Sequence, residues 1–189
     1  MKYRTIYADP PWPESGGGKI KRGADRHYPL MRVKEIMRLG QQLTPHIADN
    51  AHIYLWATNN HLPEALEVMA AWGFEYKTSI TWIKDRMGLG QYFRGLSEHC
   101  LFGVRGMLPY RVIDGKRAQG TTAFLSPRGP HSRKPEEMRR MIEIVSYAPR
   151  VELFARHQSP GWDVWGNEVK SKLSVCTARY RTCAVGMRQ

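Results

Sequence analysis

The sequence has little cysteine and no long apolar run. Its three cysteines, Cys100, Cys176 and Cys183, are odd in number and have no metal-ligating partners near them, which argues against a disulfide scaffold and a structural zinc site. No segment approaches the roughly 20 apolar residues that span a bilayer, and residues 1–5 lead straight into a predicted strand. We therefore expect a soluble protein of the cytoplasm, or of the nucleus in a eukaryotic host, with no membrane partner.

Acidic residues are also scarce. The chain has 17 Asp and Glu against 29 Lys and Arg, a formal net charge of +12. A basic excess of this size, clustered in predicted loops, is typical of proteins that meet phosphate backbones. The alternative is a generally basic enzyme with a small substrate.

A glycine-rich Gly-x-Gly-x-x-Gly motif is missing after the first predicted strand, which disfavours an ordinary dinucleotide fold. The 189 residues suffice for one α/β domain and are too few for two. Apolar strand-like runs alternate with helical patterns, which predicts a doubly wound, mostly parallel sheet flanked by helices. The predicted strands are 3–8, 51–57, 76–84, 98–104, 121–125, 151–155 and 162–166, and the predicted helices are 33–46, 62–72 and 135–145. We place the domain at 1–168 and a loosely held basic tail at 169–189.

One short stretch, Asp9-Pro10-Pro11-Trp12, has both the chemistry and the position of an active site. It follows the first predicted strand, and its prolines cannot continue a central strand or a helix, so they direct carbonyl groups beyond the strand end. A carboxylate beside a carbonyl offers only acceptors, which suits an amino group with two N–H bonds. The indole offers a flat face to a planar base. The alternative is an ordinary turn.

A basic, glycine-rich segment, residues 15–23, comes next along the chain. Its glycines leave the backbone too free for regular structure. Lys19, Lys21 and Arg22 are therefore candidates for a cationic clamp on substrate phosphates, with an ordinary flexible loop as the alternative.

The tetrapeptide resembles the catalytic motif of amino-methyltransferases, in particular the family named after the 70-kDa subunit of eukaryotic mRNA N6-adenosine methyltransferase. Further stretches are similar to that family in the same order along the chain: 28–29, 72–84, 98–106, 132–137, 152–156 and 166–168. The resemblance implies a Rossmann-like class I methyltransferase fold in circularly permuted order, with the catalytic strand first and the donor-binding strand late.

The same resemblance implies roles for individual residues, and we expect no metal site. Catalysis falls to the tetrapeptide, while Tyr28 and Glu98 lie on the substrate side. Glu168 stands where the family has a glutamine, and an acid there is able to accept hydrogen bonds from ribose hydroxyls. The residues implied to hold the donor, S-adenosylmethionine, are Asp9, Lys134, Leu153, Phe154, Arg156, Asn167 and Glu168.

The expected reaction is methyl transfer to the N6 amino group of adenine in nucleic acid, with DNA favoured. We expect Asp9 and the Pro10 carbonyl to accept the two amino N–H bonds, so that the nitrogen lone pair points at the methyl group. Trp12 and Tyr28 would stack on the base. The alternatives are RNA N6-adenosine methylation, cytosine N4 methylation and a catalytically silent nucleic-acid-binding partner subunit. A homodimer or a complex with a partner subunit is compatible with the sequence.

Overall fold

The computed structural model describes residues 1–13, 30–88, 92–107, 110–129, 133–173 and 175. Strands and helices alternate over the described part of residues 1–83, as the sequence predicts, whereas the described residues from 75 to 125 form successive strands with no helix between them. The strands are β1 (Tyr3–Ala8), β2 (Ile47–Ala57), β3 (Glu75–Ile83), β4 (Ser97–Arg105), β5 (Val112–Ile113), β6 (Lys116–Arg117), β7 (Ala123–Leu125), β8 (Arg150–Leu153) and β9 (Asp163–Trp165). The helices are α1 (Val33–Leu43), α2 (Leu62–Ala71) and α3 (Glu136–Val145), and Thr44–His46 and Asn59–His61 form 3₁₀ turns.

Seven strands form one twisted sheet in the order β7-β3-β4-β2-β1-β8-β9. All neighbours pair in parallel except β4, which is antiparallel to both β2 and β3. The six parallel strands therefore end at the same edge of the sheet, and β4 begins there. We call this the carboxyl edge, and ligands bind beyond it in open α/β sheets. The predicted α/β fold with a mostly parallel sheet is confirmed.

The helices cover the two faces of the sheet with apolar side chains at helical spacing. On one face, α1 and α2 contribute Ile36, Leu39, Val68 and Met69 to the main core, and each such fully buried side chain stabilises the fold by about 2 kcal/mol. On the other face, α3 buries Met138 and Ile142 against aromatic side chains of the central strands. The three central strands, β4, β2 and β1, are thus packed on both faces.

Several element boundaries differ from the prediction. β2 begins at Ile47 rather than at residue 51, because Ile47 pairs with Tyr3 of β1. The hairpin of β5 and β6 was not predicted, although its turn residues, Asp114 and Gly115, have the positive φ of 50° and 74° that a two-residue hairpin turn requires. The Asp-Gly pair between short apolar and basic segments was the available signal.

The segment after residue 168 starts as part of the core. Leu173 and Val175 are buried in the main cluster, and the Trp165 indole N–H donates to the Val175 carbonyl at 3.0 Å. This differs from a loosely held tail, because two apolar side chains of the segment pack on the end of β9. Residues 174 and 176–189 lie outside the described part of the chain. Among the described residues, none of the helices has the length and apolar character of a membrane span.

Candidate active site

β1 delivers Asp9 to the carboxyl edge, and the following prolines fix the corner. The backbone N–H of Trp12 donates to the Pro10 carbonyl at 2.9 Å, and the N–H of Met31 donates to the Pro11 carbonyl at 2.9 Å. A carbonyl oxygen has two lone pairs, so the Pro10 carbonyl keeps one for another donor. The corner therefore presents a carboxylate and an acceptor carbonyl from adjacent residues.

A chain of four charged side chains starts at Asp9. Lys134, just before α3, places its Nζ 2.7 Å from Oδ2 of Asp9 and 3.4 Å from Oε2 of Glu98. On the far side, Lys84 places its Nζ 2.6 Å from Oε1 of Glu98. These four side chains bring together the ends of β1 and β3 and the starts of β4 and α3. Sequence reasoning gave Lys84 no role, and its only signal was a cation directly after the apolar strand β3.

The two lysines stand over the faces of two tryptophans. Nζ of Lys134 lies 5.3 Å from the ring centroid of Trp56, and Nζ of Lys84 lies 4.9 Å from that of Trp82. The two indoles meet edge to face at 6.1 Å, and the Trp56 N–H donates to the Tyr7 hydroxyl of β1 at 2.7 Å. Charges on such an apolar floor interact more strongly than in water.

The environment pushes the two carboxyl groups in opposite directions. Burial raises the pKa of Asp9, and the attraction of Lys134 offsets that effect only in part. Burial also opposes ionisation of Glu98, but Lys134 and Lys84 together outweigh it and lower the pKa of Glu98. The side chain of Asp9 keeps 33% of its surface exposed, so it remains accessible to a ligand. Glu98 therefore keeps its negative charge more readily than Asp9, whose ionisation depends on the attraction of Lys134.

A cleft opens beside Asp9 at the ends of β8 and β9. It contains an aromatic ring, an amide and charged groups of both signs. The residues that line it are Asp9, Pro11, Phe154, Ala155, Arg156, Asn167 and Glu168. Five of these are among the residues predicted to hold the donor. Two further residues predicted to hold the donor do not line the cleft. Leu153 is buried in the main core, and Lys134 contacts Asp9 and Glu98 instead.

The backbone of this cleft has a special shape. Phe154 has φ of 63°, a left-handed conformation that is rare for a bulky residue and that clusters at functional sites. It ends β8 two residues earlier than predicted and packs its ring edge to face on Trp165. A Cβ at Gly166 would lie 2.0 Å from the carbonyl oxygen of Ala155, so only glycine fits there. This close approach sets where Asn167 and Glu168 leave the sheet.

Trp12 is not the exposed platform that the sequence predicts. Its side chain is only 6% exposed, its N–H donates to the Trp56 carbonyl at 2.9 Å, and its ring stacks on His61 with centroids 5.7 Å apart. The indole is large and apolar, and the core beside β2 covers it. The prediction of a stacking face at Trp12 is therefore corrected to a role in holding the corner.

Four predicted substrate residues, Lys19, Lys21, Arg22 and Tyr28, lie outside the described residues. Within the described ranges, no group of three His, Cys, Asp or Glu side chains could hold a metal ion.

The chain resembles known methyltransferases over most of its length. A family model described as MT-A70 matches residues 3–168. The type II methyltransferase M.MunI of Mycoplasma sp is 31% identical over 93% of this chain and 82% of that protein. The putative N(6)-adenosine-methyltransferase MT-A70-like of Medicago truncatula is 32% identical, and the N(6)-adenosine-methyltransferase catalytic subunit METTL3 of Homo sapiens is 30% identical, each over 89% of this chain. The chain spans only 26% and 28% of those two proteins.

Proposed function

Because this chain belongs to the MT-A70 family of S-adenosylmethionine-dependent methyltransferases, we propose that it methylates the N6 amino group of adenine in DNA. The observation that carries the proposal is the Asp9 corner, where a carboxylate and the Pro10 carbonyl stand beside a cleft of donor-binding character. We assign the activity to residues 1–168, with the buried Leu173 and Val175 as part of the same folded unit. Such an enzyme works where its DNA lies, in the cytoplasm of a prokaryote or the nucleus of a eukaryote.

The choice of DNA is supported by the likeness to M.MunI, which covers most of both chains. RNA is the second candidate substrate, because the plant and human relatives are named N(6)-adenosine-methyltransferases. Those likenesses cover about a quarter of the relatives' own length, so they bear less on the whole activity. The basic excess of the chain suits either polymer.

The reacting nitrogen is a poor nucleophile, because its lone pair is delocalised into the aromatic ring. Asp9 and the Pro10 carbonyl overcome this by accepting its two N–H bonds, which draws the nitrogen toward tetrahedral geometry, so that its lone pair is localised on the nitrogen and points at the methyl group. Lys134 occupies Oδ2 of Asp9, so Oδ1 is the oxygen for the amino group. As the N–C bond forms, the bond between the methyl carbon and the donor sulfur would break and leave a neutral thioether. The nitrogen gains positive charge that the Asp9 carboxylate stabilises, and its proton then leaves to water.

Lys134 and Glu98 help to keep the Asp9 carboxylate ionised and in position. Lys134 favours the ionised form of Asp9 against the effect of burial, and Glu98 holds Lys134 from the other side at 3.4 Å. Because the four-charge chain is neutral in sum, an added adenine meets no strong net charge at this point. The arrangement orients acceptors without a strong general base.

The cleft suits the methyl donor in its chemistry. Asn167 and Glu168 provide polar groups that would bind ribose hydroxyls, and Phe154 provides an apolar ring. Asp9 provides a carboxylate that would attract the positive charge of the donor. The left-handed Phe154 and the close contact of Gly166 with Ala155 shape a cleft that an ordinary strand end lacks. S-adenosylmethionine, when bound there, supplies an electrophilic methyl group that needs no further activation by the protein.

The test is transfer of labelled methyl from S-adenosylmethionine to matched double-stranded DNA, single-stranded DNA and RNA, followed by nucleoside analysis. We expect label in N6-methyladenine from DNA. Label in RNA alone would make the second candidate correct, and label in N4-methylcytosine would overturn the choice of base. Donor binding without any transfer would point to a missing partner subunit, and no donor binding to a catalytically silent chain.

Asp9→Asn tests the role of the carboxylate itself. The amide keeps the shape but loses the charge, so we expect transfer at saturating S-adenosylmethionine to fall about 10³-fold or more, a larger change than any loss of donor affinity. Asp49→Asn is the matched control, because Asp49 is an exposed carboxylate paired with Lys2 at the opposite edge of the sheet. Retained activity in Asp9→Asn would refute this mechanism.

A further inference from the structure

Two aromatic side chains beside the candidate active site have no core to pack in. Tyr92 is 93% exposed and Phe93 is 91% exposed, whereas no other aromatic side chain among the described residues exceeds half exposure. Two adjacent rings in water cost hydration free energy that an ordinary loop avoids with polar residues. Such a pair therefore indicates a surface that becomes covered.

The pair lies at the carboxyl edge. Its loop, which we call the β3–β4 loop, runs from Lys84 to Leu96, and the Lys84 N–H donates to the Leu96 carbonyl at 2.8 Å. Higher up, the N–H of Gly88 donates to the Gly95 carbonyl at 2.7 Å. These bonds tie the two sides of the loop together below the aromatic pair.

The same loop is joined to the catalytic corner through its base. Lys84 pairs with Glu98, and Lys134 connects Glu98 to Asp9. Since β4 is two strands from β1 in the sheet, the end of the loop at Leu96 lies about 10 Å from the strand that carries Asp9. A nucleotide chain with its target base at Asp9 would pass this loop with a neighbouring base.

The charges around the pair favour a polyanion as the occupant. Arg86 and Arg94 belong to the loop, and Arg128 follows the adjacent strand β7. The acidic residue among them, Asp85, already binds the Arg86 side chain at 3.2 Å and the Arg128 backbone N–H at 2.8 Å. Guanidinium groups next to exposed aromatic rings form the usual surface for unpaired nucleotides, with phosphates on the cations and bases on the rings.

We propose that Tyr92 and Phe93 are a base-stacking site that holds nucleotides next to the target adenine. The inference rests on the proposed function for the identity of the target adenine, whereas the stacking itself requires only that the chain binds nucleic acid. Stacking tolerates every base, because each has a flat π-face, so the site contributes affinity rather than sequence recognition. It takes over the stacking function that the buried Trp12 does not provide.

The experiment measures binding of fluorescent oligothymidylate to the full chain, without donor, over a range of salt concentrations. For the double variant Tyr92→Ala/Phe93→Ala we expect affinity to fall about tenfold or more, with the salt dependence unchanged because no charge is removed. Arg94→Ala should instead reduce the salt slope by about one ion. The matched control is Val112→Ala/Ile113→Ala, which removes exposed apolar side chains from the separate β5–β6 hairpin.

A second double variant, Tyr92→Leu/Phe93→Leu, separates stacking from apolar docking. Leucine keeps apolar surface but offers no flat ring, so we expect it to bind DNA as weakly as the alanine pair. Wild-type affinity in the leucine variant, or unchanged affinity in the alanine variant, would overturn the proposal. So would a wild-type protein that self-associates in sedimentation through this pair, because the surface would then serve a second copy of the chain.

The two proposals fail in different ways. If the wild-type chain binds oligothymidylate through Tyr92 and Phe93 but transfers no methyl group, the proposed function fails and the stacking site stands. If methyl transfer to DNA proceeds with an unchanged KM for DNA in the alanine pair, the stacking site fails and the proposed function stands.

Discussion

The carboxyl edge of the sheet has two halves that are built differently. The donor half, at the ends of β8 and β9, is shaped by the backbone, through the left-handed Phe154 and the contact of Gly166 with Ala155. The acceptor half, at β3 and β4, is shaped by charged side chains, through the pairs that Glu98 makes with Lys84 and Lys134. Asp9 belongs to both, because it lines the cleft and pairs with Lys134.

This difference has a chemical reason. A donor that always has the same shape is well held by a rigid backbone contour. A base that must be turned toward its methyl group needs oriented charges, and those come from side chains on a firm apolar floor. Substitutions in the donor half should therefore alter stability and donor affinity, and those in the acceptor half should alter turnover and its pH dependence.

Among substitutions that belong to one half alone, the largest effect is expected in the acceptor half, from Lys134→Met. Removing the cation leaves Asp9 and Glu98 without their shared partner, so we expect kcat to fall about 10²–10³-fold. Lys134 lowers the pKa of Asp9, so its loss raises that pKa further. Asp9 then ionises only at higher pH, and the low-pH limb of the activity profile should move upward in pH.

The measurement is the pH dependence of kcat in the wild type, in Lys134→Met and in Lys77→Met. The last variant removes a surface lysine of β3 that pairs with Glu75 away from the site. Activity of Lys134→Met should recover in part as pH rises. A loss of equal size at every pH would mean that Lys134 acts on packing alone, and the contrast between the halves would weaken.

The donor half should respond first through stability. In Gly166→Ala the new Cβ would meet the Ala155 carbonyl oxygen at 2.0 Å, and backbone atoms cannot move aside cheaply. We expect the free energy of unfolding to fall by about 2–3 kcal/mol and donor affinity to weaken with it. Gly129→Ala is the control, because its Cβ would lie 3.9 Å from the nearest atom, in ordinary contact. Equal melting temperatures for the two variants in thermal denaturation would contradict the backbone-shaped cleft.

The sequence predicts the strands and the corner that carry the two halves, because these elements follow from local patterns. Apolar runs between glycine and proline breaks predicted β1, β3 and β4, and the prolines after Asp9 predicted the corner. The order of elements predicted the mostly parallel sheet. These features depend on residues that are close in sequence, so they can be read from one amino-acid sequence.

Other features depend on partners that are distant in sequence, and they could not be predicted. Lys84 belongs to the site because it pairs with Glu98. Trp12 is buried because its ring stacks on His61 and its N–H donates to the Trp56 carbonyl. The left-handed Phe154 is held by tertiary packing on Trp165, against the preference of a bulky residue.

The smallest effect is expected from Asn167→Ala, which probes the donor half without disturbing its backbone. Asn167 lines the cleft and is exposed, so its truncation removes hydrogen bonds to the donor but no core contacts. The net loss of about 1 kcal/mol should raise the KM for S-adenosylmethionine about fivefold and leave kcat, stability and DNA binding unchanged. Lys170→Ala, three residues further along the same segment, is the exposed control. If Asn167→Ala weakened binding of DNA and not of the donor, Asn167 would belong with the acceptor half, and the division of the carboxyl edge would have to be redrawn.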